Sequence, residues 1–137
     1  MSPAHRLAIA RLMIGLVLFF NVQCGLVFLV FPQNFAGNFE LNGLPGQAMV
    51  QTLGLLFIMW NVPYAAALIQ PIRNRNSHLQ AILMQAIGLA GEIWMLLGLT
   101  AGHDTLRITA LRFIWFDSFG LLALSGSFWL LRPERTA

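Results

Sequence analysis

The 137-residue sequence has no lysine, a single cysteine and only 9% charged residues, against 58% hydrophobic ones. With Cys24 alone, neither an intramolecular disulfide nor a dithiol redox pair can form, which excludes four-helix enzymes that exchange disulfides with quinones. The three histidines, His5, His78 and His103, fall at the ends of apolar runs. No spacing suggests a metal site or a haem held between helices, so neither metal nor cofactor is expected. Glycine-rich phosphate loops, a serine nucleophile elbow and internal repeats are also missing. The length leaves no room for a separate soluble catalytic domain. The eight arginines sit at the ends of apolar runs or just inside them. That is the pattern of a topology signal and not of a nucleic-acid footprint.

What the chain does have is apolar length. Its mean hydropathy is +0.72, and four stretches are long enough to cross a hydrocarbon core of roughly 30 Å as α-helices. They lie near residues 7–31, 48–68, 79–100 and 106–131. The expected fold is all-α, an integral membrane four-helix bundle forming a single domain over residues 1–137. The first run is too long for a signal-peptide core and lacks a small-x-small cleavage site, so it is read as a mature helix. Pro32 follows the first span, Pro71 the second, and Ala101-Gly102-His103-Asp104 separates the third from the fourth. Asp104 or Thr105 is the expected N-cap of the last helix.

An even number of spans places both termini and the second loop on one side. That side carries Arg6, Arg11, Arg73, Arg75, Arg132 and Arg135, and the other only Arg107 and Arg112. The positive-inside rule then predicts cytoplasmic termini, with an extracytoplasmic loop at residues 32–47, in a multi-pass protein of a bacterial inner (plasma) membrane. In that loop Phe35, Phe39, Leu41 and Leu44 are mixed with Asn34, Gly37, Asn38, Glu40, Asn42 and Gly43. Such a segment lies in the interface as a connector, the simpler expectation, or folds back over the bundle mouth.

Two carboxylates, Glu92 and Asp117, stand inside the apolar runs. A charge at the bilayer centre costs at least about 2.5 kcal/mol, so an acid kept there faces protein, where it pairs, binds or relays a proton. Helical spacing gives each helix a face that combines polar and small residues. In the first these are Ile14, Val17, Asn21, Gly25 and Phe28. In the second they are Gly54, Phe57, Asn61, Ala65 and Leu68, with Gln51 on the flank. The third contributes Ala81, Gln85, Gly88 and Glu92, and the fourth Ala110, Phe113, Asp117, Gly120 and Leu124. By helical rise, Glu92 lies in the outer half, Asp117 deeper and Asn61 near the midplane. If all four faces turn inward, they form a polar track from the outer surface to the middle.

Arg112 falls at the depth of Glu92 and either pairs with it or snorkels to the outer headgroups. In Met59-Trp60-Asn61-Val62-Pro63-Tyr64, Pro63 removes a backbone donor and kinks the helix. Asn61 or a ligand can satisfy polar groups there, with Trp60 and Tyr64 as aromatic walls. Trp94, Trp115 and Trp129 are expected to face lipid or anchor at the interface.

Arg11 and Gly15, then Phe31-Pro32, then Leu44-Pro45-Gly46 before a glycine-containing second helix, resemble DoxX-like small four-helix membrane proteins over about the first 70 residues. That resemblance implies a noncatalytic membrane subunit of quinone-linked or redox-stress systems. Such families place an acid in the second helix, where this chain has Asn61.

The residues themselves suggest a site for a small apolar or amphipathic molecule. Glu92 and Asp117 are candidate proton donor and acceptor for isomerase-like acid/base chemistry. Asn61, Trp60, Tyr64, Gln85, Asn21, Gln51 and Arg112 are the candidate ligand-binding residues around them. The alternatives are a subunit or assembly factor of a membrane complex, a small proton-coupled transporter or channel working as a homo-oligomer, or acids that only fix helix packing. The partners expected are lipid, an apolar small molecule and membrane-complex or like subunits, with no nucleic acid.

Overall fold

The computed structural model describes residues 1–132; Arg135, one of the arginines in the charge asymmetry, lies outside the described residues. Five helices run α1 Pro3–Val30, α2 Gly43–Trp60, α3 Val62–Ile69, α4 Arg75–Gly98 and α5 Asp104–Leu130. They make four segments long and apolar enough to cross a membrane, because α2 and α3 together form one span, Gly43–Ile69.

Each span starts two to five residues earlier than its sequence-derived one and ends within two residues of it, for local reasons. Ser2 caps α1, its hydroxyl accepting from the N–H of His5 at 3.3 Å, and Pro3 fits the first helical turn. The second helix begins at Gly43, not at residue 48, so the preceding loop is shorter than the expected 32–47. At α5 the expected Asp104 or Thr105 cap is replaced by His103 in the capping position, with Asp104 already in the first turn. A carboxylate there still complements the helix dipole. Three arginines satisfy orphan carbonyls at helix ends. Arg6 donates to Leu130 at 2.8 Å, Arg11 to Ile69 at 2.8 Å and Arg107 to Leu99 at 3.2 Å.

α1 packs chiefly on α2 and α5, and α4 on α5 and α3. α1 and α2 meet backbone to backbone at a glycine crossing. A Cβ on Gly54 would stand 2.6 Å from the carbonyl oxygen of Gly25 and 2.8 Å from the backbone nitrogen of Leu29. The second span breaks at Asn61. There the backbone N–H turns to Ile58, three residues back, at 3.2 Å, and the side-chain amide donates to Phe57, four residues back, at 2.5 Å. Beyond this tighter turn the inward face shifts by one residue. Tyr64 and Ala67 are buried, where an unbroken helix would have turned Ala65 and Leu68 inward. The bend lets α3 lie on α4 while α2 follows α1.

The loop between α1 and α2 corrects the expectation of an interfacial connector. Its two 3-10 turns, Pro32–Asn34 and Ala36–Phe39, fold back over one end of the bundle. Phe28 receives Phe35 and Phe39 at ring distances of 4.9 and 5.7 Å and meets Phe57 and Phe113 beneath them. The loop ends on Glu40 in the left-handed region, φ 57°, and its carboxylate clasps α5. It accepts from His103 Nδ1–H at 2.5 Å and from the N–H of Leu106 at 3.2 Å. Those donors hold the Glu40 carboxyl below the usual glutamate range, the His103 bond first.

Two apolar clusters result. One, under the loop, centres on Phe28, Ala36 and Val50; the other, toward the termini, on Ile14, Val17, Tyr64, Ala67, Ala81 and Leu124. Asn21, Asn61, Gln85, Glu92 and Asp117 lie between them.

Candidate functional site

Between the two clusters Asn21, Asn61, Tyr64, Gln85, Glu92 and Asp117 line one cavity of about 80 Å³, with Trp60 and Gly88 also in its wall. All four spans contribute. The kink brings α3 onto α4, so the Tyr64 hydroxyl donates to Gln85 Oε1 at 2.7 Å. Gln85 Nε2–H in turn donates to Asp117 Oδ1 at 2.7 Å. With Asp117 ionised, this chain sets the amide orientation of Gln85, because a flipped amide would turn an oxygen toward the carboxylate.

Two glycines make the chain possible. A Cβ on Gly88 of α4 would reach within 2.6 Å of Asp117 Oδ2, and one on Gly120 of α5 within 2.6 Å of Gln85 Nε2. Each helix thus leaves out a side chain where the other inserts its polar group.

Two buried acceptors at the cavity, Asn61 Oδ1 and Glu92 Oε2, accept no hydrogen bond from any described residue. The Asn61 amide cannot flip to relieve this, since its Nδ2 is committed to the carbonyl of Phe57. A buried acceptor without a donor is unfavourable by about 1–3 kcal/mol, so such groups call for an explanation.

Larger apolar spaces adjoin. A chamber of about 140 Å³ lies under the loop, with Glu92 and Phe57 on its wall beside Phe39, Leu53, Met95 and Phe113. Another of about 250 Å³ shares Asn21 and Phe57. An open trough of about 780 Å³ between α1 and the second span, walled by Leu18, Val22, Ile58 and Ala65, reaches Asn61 from the other side.

Gln51 and Arg112, the two other candidate residues, are not brought to the cavity. Gln51 is exposed, its amide 3.4 Å from the carbonyl of Leu29. Arg112 is exposed on α5, and among the described residues Glu92 has no ion pair with it. The angle between positions 112 and 117 on one helix already separates Arg112 from the acid face. Trp94, Trp115 and Trp129 project outward. Among the described residues no cluster of metal-ligating side chains occurs.

Sequence reasoning passed over His78. It is fully buried, its Nε2–H shared between Ser127 Oγ at 2.9 Å and the carbonyl of Leu124 at 3.1 Å, with Nδ1 unpartnered among the described residues. The signal was available: His78, Gln85 and Glu92 recur at seven-residue intervals, hence on one face. The Ile14–Leu124 cluster, with Ala81 between His78 and Gln85, separates it from the cavity by an apolar layer.

No protein-family profile matches the chain, and no curated protein or solved structure matches it.

Proposed function

We propose that this protein takes up a small amphipathic molecule within the membrane, its polar end in the Asn61–Glu92–Asp117 cavity and its apolar part in the adjoining aromatic chamber. The observation that carries this reading is the pair of orphan acceptors, Asn61 Oδ1 and Glu92 Oε2, at one cavity. Packing acids would have been expected to use each other or the neighbouring amides. Asp117 does so through Gln85, and Glu92 does not. The cavity holds a polar group of only a few atoms, since one water takes up about 30 Å³ in the liquid. The rest of a ligand therefore belongs in the apolar space that Glu92 also lines.

With both termini in the cytoplasm, as the arginines suggest, the cavity lies toward the outer leaflet and the loop covers the aromatic chamber beside it. Asp117, oriented by Tyr64 and Gln85, and Glu92, without a protein partner, are then held differently enough to serve as acceptor and donor of a proton on the bound molecule. The apolar layer of Ile14, Val17, Ala67 and Leu124 on the terminal side favours a one-sided pocket over a pore.

Native mass spectrometry of the protein released from its membrane tests the proposal. A small-molecule adduct is expected on the wild type and is lost in both Glu92→Gln and Asp117→Asn while each variant stays folded. Equal adducts on all three proteins would overturn it.

A further inference from the structure

Resting on that reading, we infer that the occupant is an amine: a small amphiphile whose ammonium group lies among Asn61, Glu92 and Asp117 and whose apolar part lies against Phe57 and Phe113. The polar cavity offers acceptors in excess. Asn61 Oδ1 and Glu92 Oε2 are buried without donors, and Asp117 Oδ2 receives no hydrogen bond from any described residue. Donors are fewer: Tyr64 donates to Gln85, Gln85 to Asp117 and Asn61 to Phe57, which leaves chiefly the Asn21 amide and the Trp60 indole N–H in the wall. Set against two carboxyls and Asn61 Oδ1, the site is completed best by a ligand that brings several donors. An ammonium group does this with three N–H bonds, whereas a hydroxyl brings one donor with its own lone pairs, and a carboxylate only acceptors.

Charge points the same way. Two carboxyls line the cavity and no arginine does, Arg112 being exposed elsewhere on α5. A buried charge needs a counter-charge, and an amine supplies it whether it arrives protonated or takes the proton from a carboxyl O–H. The wall toward the apolar chamber is aromatic. Phe57 and Phe113 lie nearly parallel, 13° apart at a ring distance of 6.1 Å, and Phe57 borders both spaces. Aromatic faces attract a cation and pack an apolar tail equally well.

Three matched photoactivatable probes, a short alkyl-diazirine amine and the corresponding alcohol and carboxylic acid, are applied to the full chain in zwitterionic liposomes. The amine is expected to label peptides containing Leu53, Phe57, Met95 or Phe113 at least tenfold more than either of the others. That labelling should fall at least tenfold in Glu92→Gln. It should also fall in Leu53→Trp, which fills the chamber and leaves the acids intact; circular dichroism and monodisperse elution show that each variant is folded. Alcohol or acid labelling equal to that of the amine at the same peptides, and sensitive to Glu92→Gln, overturns the amine assignment while the pocket stands. No site labelling by any probe, or labelling indifferent to both substitutions, overturns the pocket as well.

Discussion

The side-chain amide of Gln85 donates to Asp117 Oδ1 at 2.7 Å across the seam between α4 and α5, and each of these side chains lies over a glycine of the opposite helix. The polar centre of the bundle is therefore built by two reciprocal omissions, Gly88 beneath Asp117 and Gly120 beneath Gln85.

That reciprocity is open to a mutational test. Gly88→Ala puts a methyl group within 2.6 Å of Asp117 Oδ2 and should cost about 1–3 kcal/mol in thermal or denaturant unfolding in detergent, in the range of overpacking. Combined with Asp117→Ala the same substitution should cost much less, since the atom it meets is gone. An additive double-mutant cycle would contradict the contact.

The α1–α2 crossing behaves differently, because Gly54 faces backbone that cannot rotate away. Gly54→Ala should destabilise by at least as much as Gly88→Ala, about 2–3 kcal/mol, with no rescue by trimming side chains. Gly91→Ala, where a Cβ meets open space, serves as the control and should be neutral or slightly stabilising, as helix propensity favours alanine.

Tyr64→Phe removes the donor to Gln85 Oε1 and leaves that buried oxygen without a partner. A loss of about 1–3 kcal/mol is expected. Gln85→Leu in the same background should recover nothing, since it strips Asp117 Oδ1 of its donor, whereas Gln85→Leu with Asp117→Leu, which leaves no orphan acceptor in the chain, should recover part; unfolding midpoints of the single, double and triple variants check this.

At the loop, pH supplies the handle. The Glu40 carboxyl is held below its usual range by His103 and the N–H of Leu106, so its contribution to loop closure is fully present above the ordinary glutamate value of about 4.3 and is lost as pH falls through the lowered one. Hydrogen exchange at residues 35–41 should therefore accelerate, after correction for intrinsic rates, only at acidic pH. In Glu40→Gln that acid-dependent step should vanish.

Much of this was legible in the sequence, and what was not has identifiable causes. The inward face of α1, Ile14, Val17, Asn21, Gly25 and Phe28, follows from spacing alone because nothing interrupts the helix. In the second span the kink at Pro63 was expected, but the inward face was carried through it unchanged, and the 3-10 turn at Asn61 rotated its terminal half onto Tyr64 and Ala67. Composition could not decide the place of the loop, since Phe35 and Phe39 suit an interface as well as a lid. Only their packing on Phe28 and Phe113 decides it. Arg112 matched Glu92 in depth but not in direction, and His78 was passed over for standing near a helix end although its spacing to Gln85 and Glu92 marks the same face.

The most direct measurement is a high-resolution structure of the protein in lipid with the short alkyl amine present. Density should fill the space between Asn61 Oδ1 and Glu92 Oε2, with a donor atom about 2.7–3.2 Å from each. If those two oxygens instead meet protein donors around a closed, empty centre, the acids are packing groups and the proposed pocket does not exist.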